Sequence, residues 1–249
     1  GLRVVEREEL LEMEPNVSDE AVAALWAPSA GIVNPFQLTV ALAENANVNG
    51  VDFRFNEKVL GLSRHEAGGW RVHTDKCDIR ARVVVNAAGV YADEIHNLVA
   101  APDDQLVIFP RRGQYYVLDT AVDGYVRHTV FALPTKLGKG VLVTPTTAGN
   151  ILVGPTAEDI EDKEGVDTTF DGIAEVRRKC SITMKDVPLN HSIRTFSGLR
   201  AHQPGHDFVI GEVVGAPGLV DCAAIESPGL SAAPAVGLMV ADIVRGLLV

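Results

Sequence analysis

Val83-Val84-Val85-Asn86-Ala87-Ala88-Gly89 is the stretch that decides the fold. Three consecutive β-branched apolar residues predict a strand covered on both faces, as in a parallel sheet. The small residues that follow let backbone amides come close to a phosphate or a ribose. A strand turning tightly into a packed helix needs the same residues, so the run alone leaves both readings open. Upstream, residues 51–55, 59–65, 70–74 and 79–85 read as short strands of one mixed sheet, with Gly68-Gly69 as a hairpin turn. Downstream, Ala92, Ile95 and Leu98 carry a helix that ends near Pro102.

Farther out, residues 3–14 read as a short surface helix stopped by Pro15. Leu38, Ala41, Leu42 and Val48 place a second helix over 36–49, closed by Gly50 at a C-cap position. Between 106 and 156 at least four strands follow, at 114–118, 125–133, 140–144 and 150–153, and their Gly and Pro turns predict an antiparallel sheet. A helix over 172–185, strands over 192–202, 208–212 and 219–223, and an apolar closing helix over 230–248 complete the chain. The fold class is α+β / α/β.

With 249 residues, 47% of them hydrophobic and 22% charged, the composition is that of a globular chain and excludes disorder. A formal net charge of −11 argues against a nucleic-acid groove or an anionic membrane surface, because both require clustered Lys and Arg. No run approaches the roughly 18 consecutive apolar residues of a membrane span, so any membrane association is expected to be peripheral at most. Cys77, Cys180 and Cys222 are scattered, which reads as reduced thiols and gives no metal spacing. A soluble, cytoplasmic protein without a metal site is the expectation.

Several residues could carry chemistry. Arg200 follows Ser197-Gly198-Leu199 at the end of a strand, where a guanidinium can fork to a carboxylate or phosphate or else serve a surface ion pair. Ser227-Pro228-Gly229 opens the last helix, whose first N–H groups lack intrahelical partners and suit a developing anion; a structural helix can begin the same way. His128, His191 and His202 could each take a proton from a substrate hydroxyl. Tyr115 and Tyr116 alternate on a strand, one toward the core and one toward solvent or a pocket, and the alternation does not say which. Gly138-Lys139-Gly140 lacks the spacing of a phosphate loop.

At these residues the chain resembles a known family. Gly31-Ile32-Val33 with Pro35, Asn86 to Gly89, Arg112-Gly113-Gln114-Tyr115-Tyr116, Pro134-Thr135-Lys136 with Gly138-Lys139-Gly140, Gly149-Asn150 with Gly154-Pro155-Thr156, Ser197 to Ala201, and Ile225 to Pro234 are similar, in order, to the D-amino-acid-oxidase-type superfamily of FAD-dependent oxidoreductases. Within it the likeness is greatest to the large subunit of anaerobic glycerol-3-phosphate dehydrogenases. The resemblance implies the remainder of a glutathione-reductase-like FAD-binding sheet over 1–105, an antiparallel-sheet substrate domain over 106–202, and a return to the FAD-binding domain over 203–249. It implies that Val59, Asn86, Ala87, Ala88 and Gly89 lie at the adenine and diphosphate end. Gly198, Gly211, Gly229, Leu230 and Ser231 would line the flavin end, and Arg200, with Tyr115, would hold a small anionic substrate.

Hydride transfer from that substrate to FAD is the implied reaction, with Arg200, His128 and His202 as catalytic candidates and glycerol 3-phosphate favoured. L-2-hydroxyglutarate or another 2-hydroxy-acid or amino-acid oxidase, and a non-catalytic flavin-fold subunit, are the alternatives. An electron acceptor or a partner subunit of a dehydrogenase complex is the implied partner. The G-x-G-x-x-G turn of the superfamily is found nowhere in the sequence. The expectation is therefore a fragment of a longer parent that by itself is inactive and holds FAD weakly or not at all.

Overall fold

The structure is a computed structural model, and it describes residues 1–133, 140–205 and 207–249. In chain order the elements are β1 (Arg3–Glu6), α1 (Arg7–Met13), β2 (Ala23–Trp26), α2 (Pro35–Val48), β3 (Val59–Arg64), β4 (Trp70–Thr74), β5 (Asp78–Ala81) and β6 (Val84–Asn86). Then come α3 (Ala92–Asn97), β7 (Phe109–Leu118), β8 (Val130–Phe131), β9 (Leu142–Pro145), β10 (Ile151–Gly154), β11 (Glu158–Asp159) and α4 (Phe170–Lys179). The last are β12 (Ser192–His202), β13 (Val209–Glu212), β14 (Leu219–Ala223) and α5 (Gly229–Leu247). Two compact units divide them, one of residues 1–43, 112–158 and 164–198, the other of 44–111, 159–163 and 199–249. Residues 1–43 thus pack with the antiparallel sheet, whereas the sequence reading grouped them with the segment that follows.

In the first unit β7, β10, β9 and β8 form the antiparallel ladder expected from 106–156, and β11 and β12 flank β7. Their inward residues, among them Tyr116, Leu118, Val143, Ile151 and Val153, make one core with Val176, Cys180 and Met184. Helix α4 is well specified locally. Thr169 caps it by accepting from Gly172 N at 3.2 Å, Asp171 sits in its first turn, and Arg177, Arg178 and Lys179 in its last, matching the helix dipole. Only Val130–Phe131 of the strand expected over 125–133 pairs with a neighbour. The helix expected over 3–14 begins as a strand instead, because Val5 goes inward and 3–6 pair antiparallel with β2 before α1 starts.

The second unit holds two three-stranded sheets, β3-β4-β5 and β13-β14-β6, where one mixed sheet was expected. The run 79–85 is divided between them. Asp78–Ala81 pairs antiparallel with β4, while Val84–Asn86 pairs in parallel with Leu219, Val220 and Asp221 of β14. Gly68 and Gly69 do turn the β3–β4 hairpin, at φ +84° and +78°. Gly69 is required there, because a Cβ would stand 2.5 Å from the Ala81 carbonyl oxygen. Residues 51–55 form no strand; Phe53 and Phe55 stack on each other at 5.8 Å instead of entering a ladder. Trp70, Val213, Ala216 and Leu219 make one core cluster, and Ala92, Ile108, Ala201 and Ala223 another.

Val83-Val84-Val85 is not covered on both faces. Val85 is 42% exposed and looks into a crevice beside α5. Helix α5 is 19 residues long and apolar enough to cross a membrane by length and composition, although its polar interruptions, Asp242 and Arg245 among them, kept it below the run of apolar residues sought in the sequence. Gly229 is its one buried residue among those described.

Candidate functional site

The parallel pairing of β6 with β14 sends the chain out at one edge of the sheet, through residues 87–89 after β6 and 224–229 after β14. In open sheets with parallel strands, that carboxyl edge is where ligands lie. A crevice of about 330 Å³ opens there, lined by Val85, Ala87, Cys222, Ile225, Gly229, Ala233 and Val240. Its walls are small and apolar. Burial first, and the charge of Asp221 second, push the Cys222 thiol above its ordinary pKa of 9.0, so at pH 7 it lines the crevice as a neutral group.

Asn86 is turned inward. Its Nδ2 donates to the Ala92 carbonyl and to Asp221 Oδ1, both at 2.8 Å, so the side chain is a buried clamp between β6, α3 and β14 and not a hand held out to a ligand. What the clamp presents is the exposed backbone of Ala87, Ala88 and Gly89. Gly89 adopts φ +59°, with open space where a Cβ would stand. Across the crevice Gly229 is fixed by packing, since a Cβ would meet Ile225 Cγ2 at 2.7 Å. The next two residues, Leu230 and Ser231, are exposed in the first turn of α5, where backbone N–H groups have no intrahelical acceptor. Small exposed residues at two chain exits around a small-walled apolar crevice leave room for a diphosphate attached to flat rings, so the residues present fit a flavin dinucleotide.

The remaining candidates of the second unit lie on strands of three different sheets. Arg200 and His202 are on β12, Gly211 is on β13 at φ +154° with open space beside it, and Val59 heads β3 at a bulge. His202 is buried, and its Nδ1 lies 3.0 Å from Glu226 Oε1, just ahead of Ser227. Nearby, Arg111 grips Asp159 with bonds of 2.6 and 2.9 Å, and this hydrogen bonding holds its guanidinium above its usual pKa.

Tyr115, His128 and Gly198 belong to the first unit. Tyr116 is the tyrosine in the core, while Tyr115 stacks on Phe196 of β12 with centroids 4.9 Å apart. His128 is held by a buried carboxylate that sequence reasoning missed: Glu14 accepts from the backbone N–H of Arg127 at 2.9 Å and His128 at 2.6 Å, and lies 2.7 Å from His128 Nδ1. The imidazole is 46% exposed. Gly198 is exposed with open space where a Cβ would stand, and His191, exposed, receives Asp119 N at its carbonyl. Pro134-Thr135-Lys136 and Gly138-Lys139, quoted above in the resemblance and as a rejected phosphate loop, lie outside the described residues.

Asp221, His96 and Glu226 were also missed. Asp221 carried a signal, a carboxylate inside the apolar strand Leu219-Val220-Asp221-Cys222-Ala223, which is tolerable only with partners. His96 carried none, being one polar residue on a short helix.

Comparison with known proteins agrees with the fold. The family model described as FAD dependent oxidoreductase matches residues 1–243. The chain is 46% identical over 249 residues to a glycerol 3-phosphate dehydrogenase of Caloramator mitchellensis, covering 99% of this chain and 51% of that protein. A glycerol 3-phosphate oxidase of Mycoplasma pneumoniae is 32% identical over 240 residues, covering 94% of this chain and 62% of that one. The solved structure of the dithionite-reduced L-alpha-glycerophosphate oxidase of Mycoplasma pneumoniae, with FAD bound, superposes with a TM-score of 0.86 at 31% identity, covering 98% of this chain and 64% of its own. The chain thus spans about half to two thirds of the length of these relatives. It belongs to the FAD dependent oxidoreductase family.

Proposed function

We propose that this chain supplies part of the FAD cradle and of the substrate wall of a flavoenzyme that oxidises glycerol 3-phosphate. The observation that carries the reading is 46% identity to a glycerol 3-phosphate dehydrogenase over 99% of the chain. FAD, when bound, supplies the hydride acceptor. Residues 87–89 would hold its diphosphate end through backbone N–H groups, and Gly229, Leu230 and Ser231 the flavin end, with Val59, Gly198 and Gly211 in supporting positions. Arg200 would fork to the phosphate of the substrate and Tyr115 would limit how it lies. Orientation of the C–H bond is the main task left to the protein.

The hydroxyl proton must go to a base as the hydride leaves. Of the two histidine candidates, His202 is enclosed and tied to Glu226. His128, whose Nδ1 is engaged by Glu14, is the more exposed of the two and stays a candidate acceptor. Three scattered thiols and a charge of −11 support a reducing, cytoplasmic setting with a separate electron acceptor or partner subunit.

Anaerobic stopped-flow reduction of the flavin in the full-length enzyme tests the reading. Glycerol 3-phosphate is expected to bleach the flavin band within turnover time, and Arg200→Ala to raise KM by about 10- to 100-fold, the size of a charge-assisted bond lost. Faster bleaching by L-2-hydroxyglutarate, or unchanged KM in Arg200→Ala, would refute the assignment of substrate or of residue respectively.

A further inference from the structure

His96, on α3, is a buried titratable group for which the proposed reaction has no use. Its hydrogen bonds fix its proton content. Nε2 lies 2.8 Å from the Asp104 carbonyl oxygen, which can only accept, so Nε2 carries a proton. Nδ1 lies 2.6 Å from Asp221 Oδ2, too close for two bare lone pairs, so a second proton lies between these atoms. The pair therefore contains one proton more than a neutral imidazole beside a carboxylate. Asp221 Oδ1 takes the Asn86 amide at 2.8 Å, and Asn86 Oδ1 faces the Ala88 amide nitrogen at 3.4 Å. One line of bonds thus runs from Asp104 through His96, Asp221 and Asn86 to the exit at 87–89.

We propose that His96 is a positioning residue for the 87–89 exit, acting through the proton it shares with Asp221, and that loss of this proton loosens the exit from the end of β14. Without that proton either the Asp104 carbonyl or the Asp221 carboxylate faces a lone pair, and one anchor of α3 must break. Competing charges around the pair are already engaged or turned out. Asp93 and Glu94 of α3 hold Lys163, the side chains of Asp103 and Asp104 are exposed, Glu212 of β13 takes Gly218 N, and Asp242 of α5 pairs with Arg245. Cys222, the other titratable group of β14, is pushed up by burial and stays neutral. The positioning stands on this geometry; only its consequence for FAD rests on the function proposed above.

Nitrogen-15 NMR of the histidines in the intact chain at pH 7 reads the proton directly. Both His96 nitrogens are expected to show N–H-type shifts, and a lone-pair-type nitrogen on His96 overturns the proposal. Hydrogen exchange at residues 87–89 reads the positioning: His96→Gln is expected to speed it about 10- to 100-fold, the equivalent of one hydrogen bond to a charged group, and unchanged exchange overturns it. If His96→Gln does not fold, Asp221→Asn, which removes the carboxylate that faces Nδ1, takes its place, and unchanged exchange at 87–89 in that variant overturns the proposal. Fluorescence of added FAD separates the two readings, since a chain that leaves FAD unquenched yet shows both signals refutes the cofactor role of 87–89 and supports the positioning by His96.

Discussion

Asn86→Asp is the sharpest perturbation of the clamp, because it keeps the shape and exchanges a donor for a second carboxylate. The bond to the Ala92 carbonyl and the bond to Asp221 Oδ1, both 2.8 Å, are lost together. One neutral bond and one to a charged acceptor amount to about 2–4 kcal/mol. Two carboxylates left about 2.8 Å apart would repel by about 6 kcal/mol at an effective dielectric constant of ~20, so one of them takes up a proton instead. That group has a folded-state pKa above its unfolded value of about 3.9, and its stability contribution is therefore present at low pH and lost as the pH rises through the raised value. The expected cost relative to the wild type is about 4–6 kcal/mol near pH 7.5 and about half of that near pH 5, against a total stability of about 5–15 kcal/mol.

Urea unfolding reports it cleanly. The chain has two tryptophans, Trp26 in the first unit and buried Trp70 in the second, so a Trp26→Phe background leaves Trp70 as the reporter of the unit that contains Asn86. Asn86→Ala is the control, with lost bonds and no new charge, and its cost should differ little between the two pH values. Equal cost of Asn86→Asp at both, or no cost at pH 7.5, would show that Asn86 does not face an ionised Asp221.

Gly172→Ala should cost about 1–3 kcal/mol in urea unfolding read at Trp26, since the new Cβ would stand 2.0 Å from Nε2 of the fully buried Gln114, whose Oε1 accepts from Thr169 N at 2.7 Å. Burial pushes the Tyr125 hydroxyl and the Cys180 thiol of the first unit above their ordinary 10.0 and 9.0, so that unit should keep full stability below pH 9 and lose it as the pH climbs further; Tyr125→Phe should flatten the decline in thermal melts. Thiol labelling followed by peptide mass mapping at pH 7.5 should modify exposed Cys77 first, half-buried Cys222 more slowly and buried Cys180 last, and equal rates would refute this placement.

Most elements were legible in the sequence because periodicity and punctuation agreed. Residues 70–74, 192–202 and 219–223 are strands as read, and α2 and α5 fall within a residue of expectation at each end. Failures came where a partner decided the outcome. A Val-Val-Val run says that a strand is apolar but not which sheet takes it, and 79–85 was shared between two partners. Residues 51–55 have strand composition and no strand to pair with. At the site, the small residues at 87–89 and 229 were legible because close backbone approach excludes large side chains locally. Asp221, His96 and Glu14 were not, because each is explained by partners 125, 135 or 114 residues away in sequence.

The net charge of −11 excludes less than it first suggests. A nucleic acid presents phosphates over tens of ångströms and needs a matching field of cations, which this chain lacks. A dinucleotide presents two, at one place, and the local field decides. In the second unit Asp93 pairs with Lys163 and Asp159 with Arg111, while Asp221 is hydrogen-bonded to His96 and Glu226 to His202. The two exits, 86–89 and 224–231, contain one ionisable side chain, Glu226, and it is engaged by His202. What remains at the carboxyl edge of β6 and β14 is an exposed stretch of small, uncharged residues, and such an edge can accept a diphosphate in a protein whose net charge is negative.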